Sequence, residues 1–460
     1  MNISIRLVAF AAAAACSGHS LAAPTAEEAK QLGVTLTPVG AEKAGNAAKT
    51  IPEWDGGICT PPAGYKPTMG LKAGGAPYID PFAAERPVVR ITAANLAQHA
   101  DKVDPGTQEL FKRYPAFAMD VYPTRRTACM PQWAYDNTIK NVMKPKLVGS
   151  APGLTGAHAQ VPFPIPKSGY EAMWNALMRF QGSPHKAVTD AALMDASGTM
   201  TITSVQTIEE YFPYWDNTLT SLPDDKPFRV LVATSSQPAS QAGLKQMRHS
   251  YMRTDLKDDQ AWSYVPGQRR VRLAPEFKYD TVSTTSGGLL IFDEINGFDG
   301  KMDKYDFKLV GKKELYIPYN NVKVLSAPMS EAMKKNFVSP DLMRWELHRV
   351  WVVEATLKPG QRHIQQKKVF YLDEDSWVTS VYYALDQSGK VHHLTHFPTM
   401  QEYDKPGIRL APFVLYDMNR GIYGYQSKTQ GRPDQSSYFR VAKYPQNFFT
   451  PDAMAGSGIR

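Results

Sequence analysis

The sequence predicts an α+β, β-rich protein: a strongly curved antiparallel sheet, a half-barrel, with covering helices and a long irregular N-terminal wrap. Three observations carry this. From about residue 200 to 425 the chain reads as strand after strand. The strands alternate apolar and polar side chains, so the sheet has one large aromatic face. No long helical crossover of the kind parallel pairing needs separates them.

Taken in order, residues 1–22 read as a removable signal peptide. Arg6 supplies the charge, 7–15 an apolar run, and Ser20 and Ala22 the small residues before a cut after Ala22. Acylation at Cys16 is the alternative, since AAAC at 13–16 resembles a degraded lipobox. The apolar run is shorter than the ~20 residues of a spanning helix. The expectation is a chain exported to the periplasm with no other membrane span.

Residues 23–165 are rich in Pro and Gly and form the wrap. Short helices are expected at 25–32, with Thr25 and Glu28 as a capping box, at 93–103, and at 105–113 with Pro105 in its first turn. Cys59 and Cys129 are the cysteines left after processing. In an oxidising compartment they suggest a disulfide, worth about 4 kcal/mol for so long a loop. Two buried thiols are the alternative, and neither cysteine has a partner at metal-ligand spacing.

Residues 166–460 form the curved-sheet domain. It opens with a helix at 170–180, whose Tyr170, Met173, Trp174, Leu177 and Met178 make one apolar stripe. That helix either lies on the sheet or acts as a lid over a ligand cavity. Strands are expected at 201–208, 228–234, 261–264, 269–273, 289–292, 304–310, 322–324, 345–357, 367–372 and 377–385. Pro-Gly, Asp-Gly and Ser-Gly pairs mark the turns. Trp345, Leu347, Trp351 and Val353 fall on one face and Arg344, Glu346, His348 and Glu354 on the other. Such a sheet curls, and its apolar concave face either packs a core or encloses a ligand. The expected ligand-binding residues are Tyr170, Trp174, Met178, Trp262, Tyr264, Tyr305, Phe307, Trp345, Trp351, Trp377 and Tyr383.

Catalytic motifs are missing: no G-x-S-x-G elbow, P-loop, dinucleotide fingerprint or H-E-x-x-H occurs. His392, His393 and His396 are the densest histidine run, but on a strand positions four apart lie about 13 Å from each other. Asp293 to Asp303 fails the calcium-loop pattern at Ile295 and Gly297. No metal or cofactor is expected. The net charge of +8 is scattered and excludes a nucleic-acid stripe.

Several segments resemble the LolA/LolB-like superfamily of periplasmic lipoprotein carriers. DQAWSYVPGQRRVR at 259–272 is similar to a strand pair of that superfamily. The resemblance is closer to a long proteobacterial branch labelled outer membrane lipoprotein-sorting proteins. It is carried by LTPVGAEKAGN (36–46), IPEWDGG (51–57), DVYPTRRT (120–127), FPIP (163–166), GKKELYIPYN (311–320), WELHRVW (345–351) and KVFYLD (368–373). It runs over nearly the whole mature chain and departs from the usual pattern at 391–397. The resemblance implies a carrier of a lipid, acyl chain or other apolar compound, and a monomer is expected. It also implies work beside a resistance-nodulation-division type permease and an outer-membrane barrel protein. It supplies no catalytic residues. An enzyme acting on a lipid or sterol in the same cavity, and a ligand-free accessory subunit of an efflux system, are the rival expectations. A buried acid–base pair inside the cavity would favour the enzyme.

Overall fold

The computed structural model describes residues 23–66, 78–180, 182, 184–409, 412–429, 438–440 and 443–456. The expected signal peptide and Cys16 lie outside them. Before residue 165 come strands β1 (Val89–Thr92), β2 (Ala118–Tyr122), β3 (Lys146–Val148) and β4 (Gly153–Thr155). A first meander follows: β5 (His185–Met194), β6 (Met200–Tyr211), β7 (Pro227–Gln237), β8 (Lys245–Tyr251), β9 (Gln260–Val265) and β10 (Arg270–Leu273). A second comprises β11 (Tyr305–Pro318), β12 (Trp345–Leu357), β13 (Gln365–Asp373), β14 (Thr379–Asp386) and β15 (Val391–His396). After the small hairpin β16 (Met400–Glu402) and β17 (Gly407–Arg409), it ends in β18 (Phe413–Asp417), β19 (Ile422–Lys428) and β20 (Tyr438–Arg440).

The two meanders join edge to edge where β19 pairs with β5. The resulting sheet is open and antiparallel throughout, except where β2 runs parallel to the start of β12. Its order from one edge is β11-β12-β13-β14-β15-β18-β19-β5-β6-β7-β8-β9-β10. The main helices are α1 (Ala26–Ala29), α2 (Pro105–Arg113), α3 (Gln132–Asn141) and α4 (Gly169–Leu177).

One contact measures the curvature. Strands β11 and β7 are nine steps apart, about 43 Å if the sheet were flat. Yet α4, nine residues and roughly 13 Å long, touches both. Its Tyr170 ring lies 5.3 Å from Phe307 of β11, and its Trp174 ring lies 6.3 Å from Phe228 of β7. The sheet is bent into a half-barrel. Ser168 starts α4 by accepting from the Glu171 amide at 3.2 Å. Gly169 lets it approach β11, because a Cβ there would stand 2.5 Å from the Phe307 carbonyl.

The described residues before 166 share the core of this sheet and add β1 and β2 to it beside β12. Asp104 caps α2 through the Thr107 amide at 2.9 Å, and α2 lies on β14 and β15, with Gly106 against Tyr383 and Leu394. The Arg126 guanidinium grips Asp375 with two bonds of 2.6 and 2.9 Å. The Trp377 indole donates to the Val39 carbonyl at 3.0 Å. Cys59 and Cys129 are disulfide-bonded, their Cα atoms 5.6 Å apart.

Several expected elements differ. Residues 322–324 are not a strand but part of a helix, α5 (Val322–Ser326). The Asn321 amide bonds both backbone groups of Arg344 and turns the chain there, overriding the β-branched run. Residues 289–292 form only an isolated bridge, Val282 to Ile291, before a 3-10 turn at Phe292–Glu294. The helix expected at 93–103 is two 3-10 turns, Leu96–Gln98 and Ala100–Lys102, split at His99. The helix expected at 170–180 ends at Leu177, where the Met178 carbonyl turns away to accept from the Trp215 indole at 2.9 Å.

Candidate functional site

A partly enclosed groove lies under the first meander. Strands β5 to β9 present to it one face of alternate residues: Ala187, Thr189 and Ala191; Ser204, Gln206, Ile208 and Glu210; Arg229, Leu231 and Ala233; Gln246 and Arg248; then Ala261. The register places these side by side, with Ala187 opposite Ile208, Ile208 opposite Ala233, Leu231 opposite Arg248, and Arg248 opposite Ala261. Small side chains on neighbouring strands leave an unfilled groove of about 200 Å³.

The groove is roofed by the segment 274–303, here termed the strap. Phe277, Leu290, Phe292, Ile295 and Asp299 of the strap line its other side, joined by Phe413 of β18 and Gln426 of β19. Gly297 lets the strap lie on β14: its φ is +93°, and a Cβ would meet Thr379 at 2.6 Å. Three buried strap acids fasten it to the sheet. Asp293 pairs with Lys368 of β13 at 2.6 Å and with His363 at 3.1 Å. Glu294 accepts from His393 of β15 at 2.8 Å and from the Tyr382 hydroxyl at 3.2 Å. Asp299 bridges Arg229 at 2.9 Å and Arg248 at 3.2 Å.

These pairs set protonation states. Burial alone would strip the proton from His393, but Glu294 and Asp417 outweigh it and push its pKa up to about 9. Burial opposes ionisation of Asp293, yet Lys368 and His363 hold its carboxyl well below the usual range. At the groove end, Glu210 meets Arg229 and, at 2.9 Å, His185. Burial would raise Glu210, but Arg229 first and His185 next lower it to about 2.

None of the eleven aromatic and methionine residues expected to bind ligand lines the groove. Trp262 and Tyr264 lie on the far side of the sheet, in register with Met247 and Lys245, packed with Val230, Val232 and Phe449. Tyr170 donates to the Tyr305 carbonyl at 3.1 Å, and Trp174 to the Pro152 carbonyl at 2.9 Å. With Met178 they are packed into the core between α4 and the sheet. Tyr305 and Phe307 pack with Phe298 and Phe370. Trp351 stacks on Trp377 at 6.1 Å beneath the wrap, and Trp345 stands edge-on to His396 at 4.9 Å. Tyr383 faces Tyr371 and α2, on the side opposite Tyr382. The aromatic alternation is real, but rings this large interdigitate and fill the space between layers. The groove residues were missed because they are alanines, threonines and charges. Their signal was the small residue at every second place in β5.

Two clusters hold three buried metal-ligand-type side chains with donor atoms within 4.8 Å: His392, His393 and Asp417, and His348, Asp373 and Asp375. Both are engaged in ion pairs. Asp417 accepts from Arg420 at 2.5 Å, and both oxygens of Asp375 are taken by Arg126. His396 is elsewhere, bonded to Thr107 at 2.8 Å.

Fold and groove define a class: an open, curved, antiparallel half-barrel that encloses a small internal space roofed by a strap of its own chain. The protein belongs to the DUF1329 family, proteins of unknown function, whose pattern matches residues 90–455. It is 37% identical over 446 residues to the uncharacterized protein PA3922 of Pseudomonas aeruginosa, covering 96% of this chain and 95% of that one. Remote similarity extends to solved structures. A DUF1329 family protein from Desulfovibrio piger matches at 14% identity and TM-score 0.43, covering 62% of this chain and 97% of that one. The LolA superfamily protein NE2245 from Nitrosomonas europaea matches at 11% identity and TM-score 0.36, covering 62% and 99%. Among the described residues no helix is long and apolar enough to cross a membrane.

Proposed function

We propose that the protein is a periplasmic carrier that shelters a hydrophobic ligand in the groove beneath the strap. The observation that supports it most is the groove itself: Ala187, Ala191, Ala233 and Ala261 leave an unfilled stretch in a half-barrel whose other half is packed with rings. Each methylene placed there contributes about 0.8 kcal/mol, so an acyl chain binds without charge pairing. At about 200 Å³ the groove is smaller than the roughly 300–1,000 Å³ of ligand sites. The strap must therefore draw back when a whole ligand enters. In this reading the ligand is a lipid or lipoprotein acyl chain, handed between an inner-membrane permease and an outer-membrane protein.

A second reading has one observation behind it. His185 and Glu210 form a buried acid–base pair in the groove wall, as an enzyme acting on a lipid would need. Glu210, however, is also held by Arg229 at about 2, which makes it a weak base at neutral pH. The carrier reading is the stronger.

Native mass spectrometry of the protein taken from its own periplasm tests the proposal. The expected result is a chain beginning at Ala23 and carrying a lipid-sized adduct that organic extraction removes. A bare chain, with no uptake of a fluorescent fatty acid afterwards, would overturn it.

A further inference from the structure

The groove ends in a socket for a carboxylate, and that socket is filled by the protein itself. Asp299 reaches from the strap and sets one oxygen 2.9 Å from Arg229 Nη1 and the other 3.2 Å from Arg248 Nη2. All three residues line the groove, and Asp299 is 5% exposed. Two guanidinium groups converging on the two oxygens of one buried carboxylate is the arrangement that recognises an anionic head group.

The surrounding charges explain why Asp299 is there. Arg229 also meets Glu210, and Arg248 meets Asp259 at 2.7 Å. A third arginine, Arg179, is buried nearby, bonded to the Ala176 carbonyl at 2.9 Å. Its pKa is pushed down to about 10, by burial first and by Arg229 next. His185 sits against Glu210. Arg229, Arg248 and Arg179 are thus gathered around the carboxylates of Glu210, Asp259 and Asp299. Withdrawing Asp299 takes a carboxylate away from two largely buried guanidinium groups, Arg229 and Arg248. Strap withdrawal is therefore costly unless another anion takes the vacated place.

We infer that the ligand is an amphiphile with an anionic head group, which displaces Asp299 from the Arg229–Arg248 socket while its tail runs along Ala187, Ile208 and Ala233. This rests on the carrier reading and adds the class of ligand and the group it competes with. The strap acid is a built-in competitor: it occupies the empty socket and yields to a ligand carrying the same chemistry. Release follows when the strap carboxylate returns. No covalent step is involved.

The test uses the mature chain, a fluorescent acyl probe, and two displacing lipids with the same tail: palmitate, which is anionic, and 1-monopalmitoylglycerol, which is neutral. Sodium acetate supplies the head without the tail. Palmitate is expected to displace the probe at lower concentration than the monoacylglycerol, and acetate is expected to leave it in place. Arg248→Gln removes one charge-assisted bond from Asp299 and from palmitate alike but makes Asp299 easier for the neutral lipid to displace, so it should narrow the advantage of palmitate over the monoacylglycerol about tenfold. Asp299→Asn should strengthen palmitate by a similar factor. Should Asp299→Asn not fold, Arg248→Gln decides alone. Equal displacement by both lipids in every variant, or displacement by acetate alone, would overturn the inference while leaving the carrier reading intact. Failure of both lipids and the probe to bind any variant would remove the carrier reading itself.

Discussion

The two meanders of the half-barrel use the same alternation and end up with opposite interiors. In the second, β11 to β15, the inner face carries Tyr305, Phe307, Phe370 and Tyr382, and rings from the strap and α4 close onto it without leaving room. In the first, β5 to β9, the inner face carries alanines, Thr189 and glutamines beside Ile208, Leu231 and buried charges, and room is left. The size of a sheet's apolar residues therefore tells where its core is filled, and small residues facing inward tell where it is hollow. The strap makes the difference tangible. It packs Phe298 against Phe307 and Phe370 in one half, and in the other it roofs the groove with Phe277, Leu290, Phe292 and Ile295 and reaches Arg229 through Asp299.

The comparison breaks first in the filled half. Phe370 is fully buried among Phe298, Phe307 and Tyr382. Phe370→Ala is expected to lose about 3–5 kcal/mol in urea unfolding and to leave probe affinity nearly unchanged in the remaining native protein. A loss below about 1 kcal/mol joined to altered binding would mean the aromatic face is a site after all.

Next in size is the disulfide. Cys59 and Cys129, 70 positions apart, tie the N-terminal stretch to itself. Replacing both with serine should cost about 2–4 kcal/mol. It should also expose residues 23–66 to limited proteolysis before the sheet is cut. Simultaneous cleavage of wrap and sheet would show that the two do not come apart in that order.

The clasp of the strap offers a pH test. His393 has its pKa raised to about 9 in the folded chain by the Glu294 and Asp417 carboxylates, against 6.5 when unfolded. A raised pKa contributes stability in full below pH 6.5, and that stability is lost as pH climbs toward 9. The shift corresponds to about 3 kcal/mol at most. Glu294 is shifted the other way, downward, so its contribution is present above its unfolded value of 4.5 and lost in acid. Unfolding free energy measured between pH 6 and 9.5 should fall in the native protein and flatten in His393→Gln. Parallel slopes in the two would refute the assignment.

Much of the fold was legible because strand periodicity survives context. The bounds of β12 were read directly from its sequence, and β7, β9 and β10 to within a few residues, since each alternates strongly between turn signals. The capping box at Thr25 and Glu28 formed as read. What was lost is equally physical. The β5 segment, HKAVTDAALM, carries mainly alanine and polar residues, so its alternation has little hydrophobic contrast, yet it joins the two meanders. The strap has no periodicity at all, because its position is set by Asp293, Glu294 and Asp299 meeting cations up to a hundred residues away. Charges that pair across the fold leave no local mark, and the groove they border was invisible for that reason.

The smallest expected effect is the most discriminating, because it asks one substitution of both halves. Ala233 faces the groove between Ile208 and Gln246. Ala384 faces the filled half, fully buried between Lys368 and His393. Adding carbons to a packed site forces side chains off their rotamers and costs about 1–3 kcal/mol. Adding them to an empty one gains buried apolar area instead. Ala384→Leu should therefore destabilise by that amount and leave binding alone. Ala233→Leu should change unfolding free energy by less than about 1 kcal/mol and sharply reduce probe and palmitate binding, because the new side chain stands where the tail would lie. Urea denaturation and probe titration on the same two preparations read both quantities. If Ala233→Leu destabilises as much as Ala384→Leu, the groove is already filled in solution. If it is neutral in both readouts, the space is real but no ligand tail uses it.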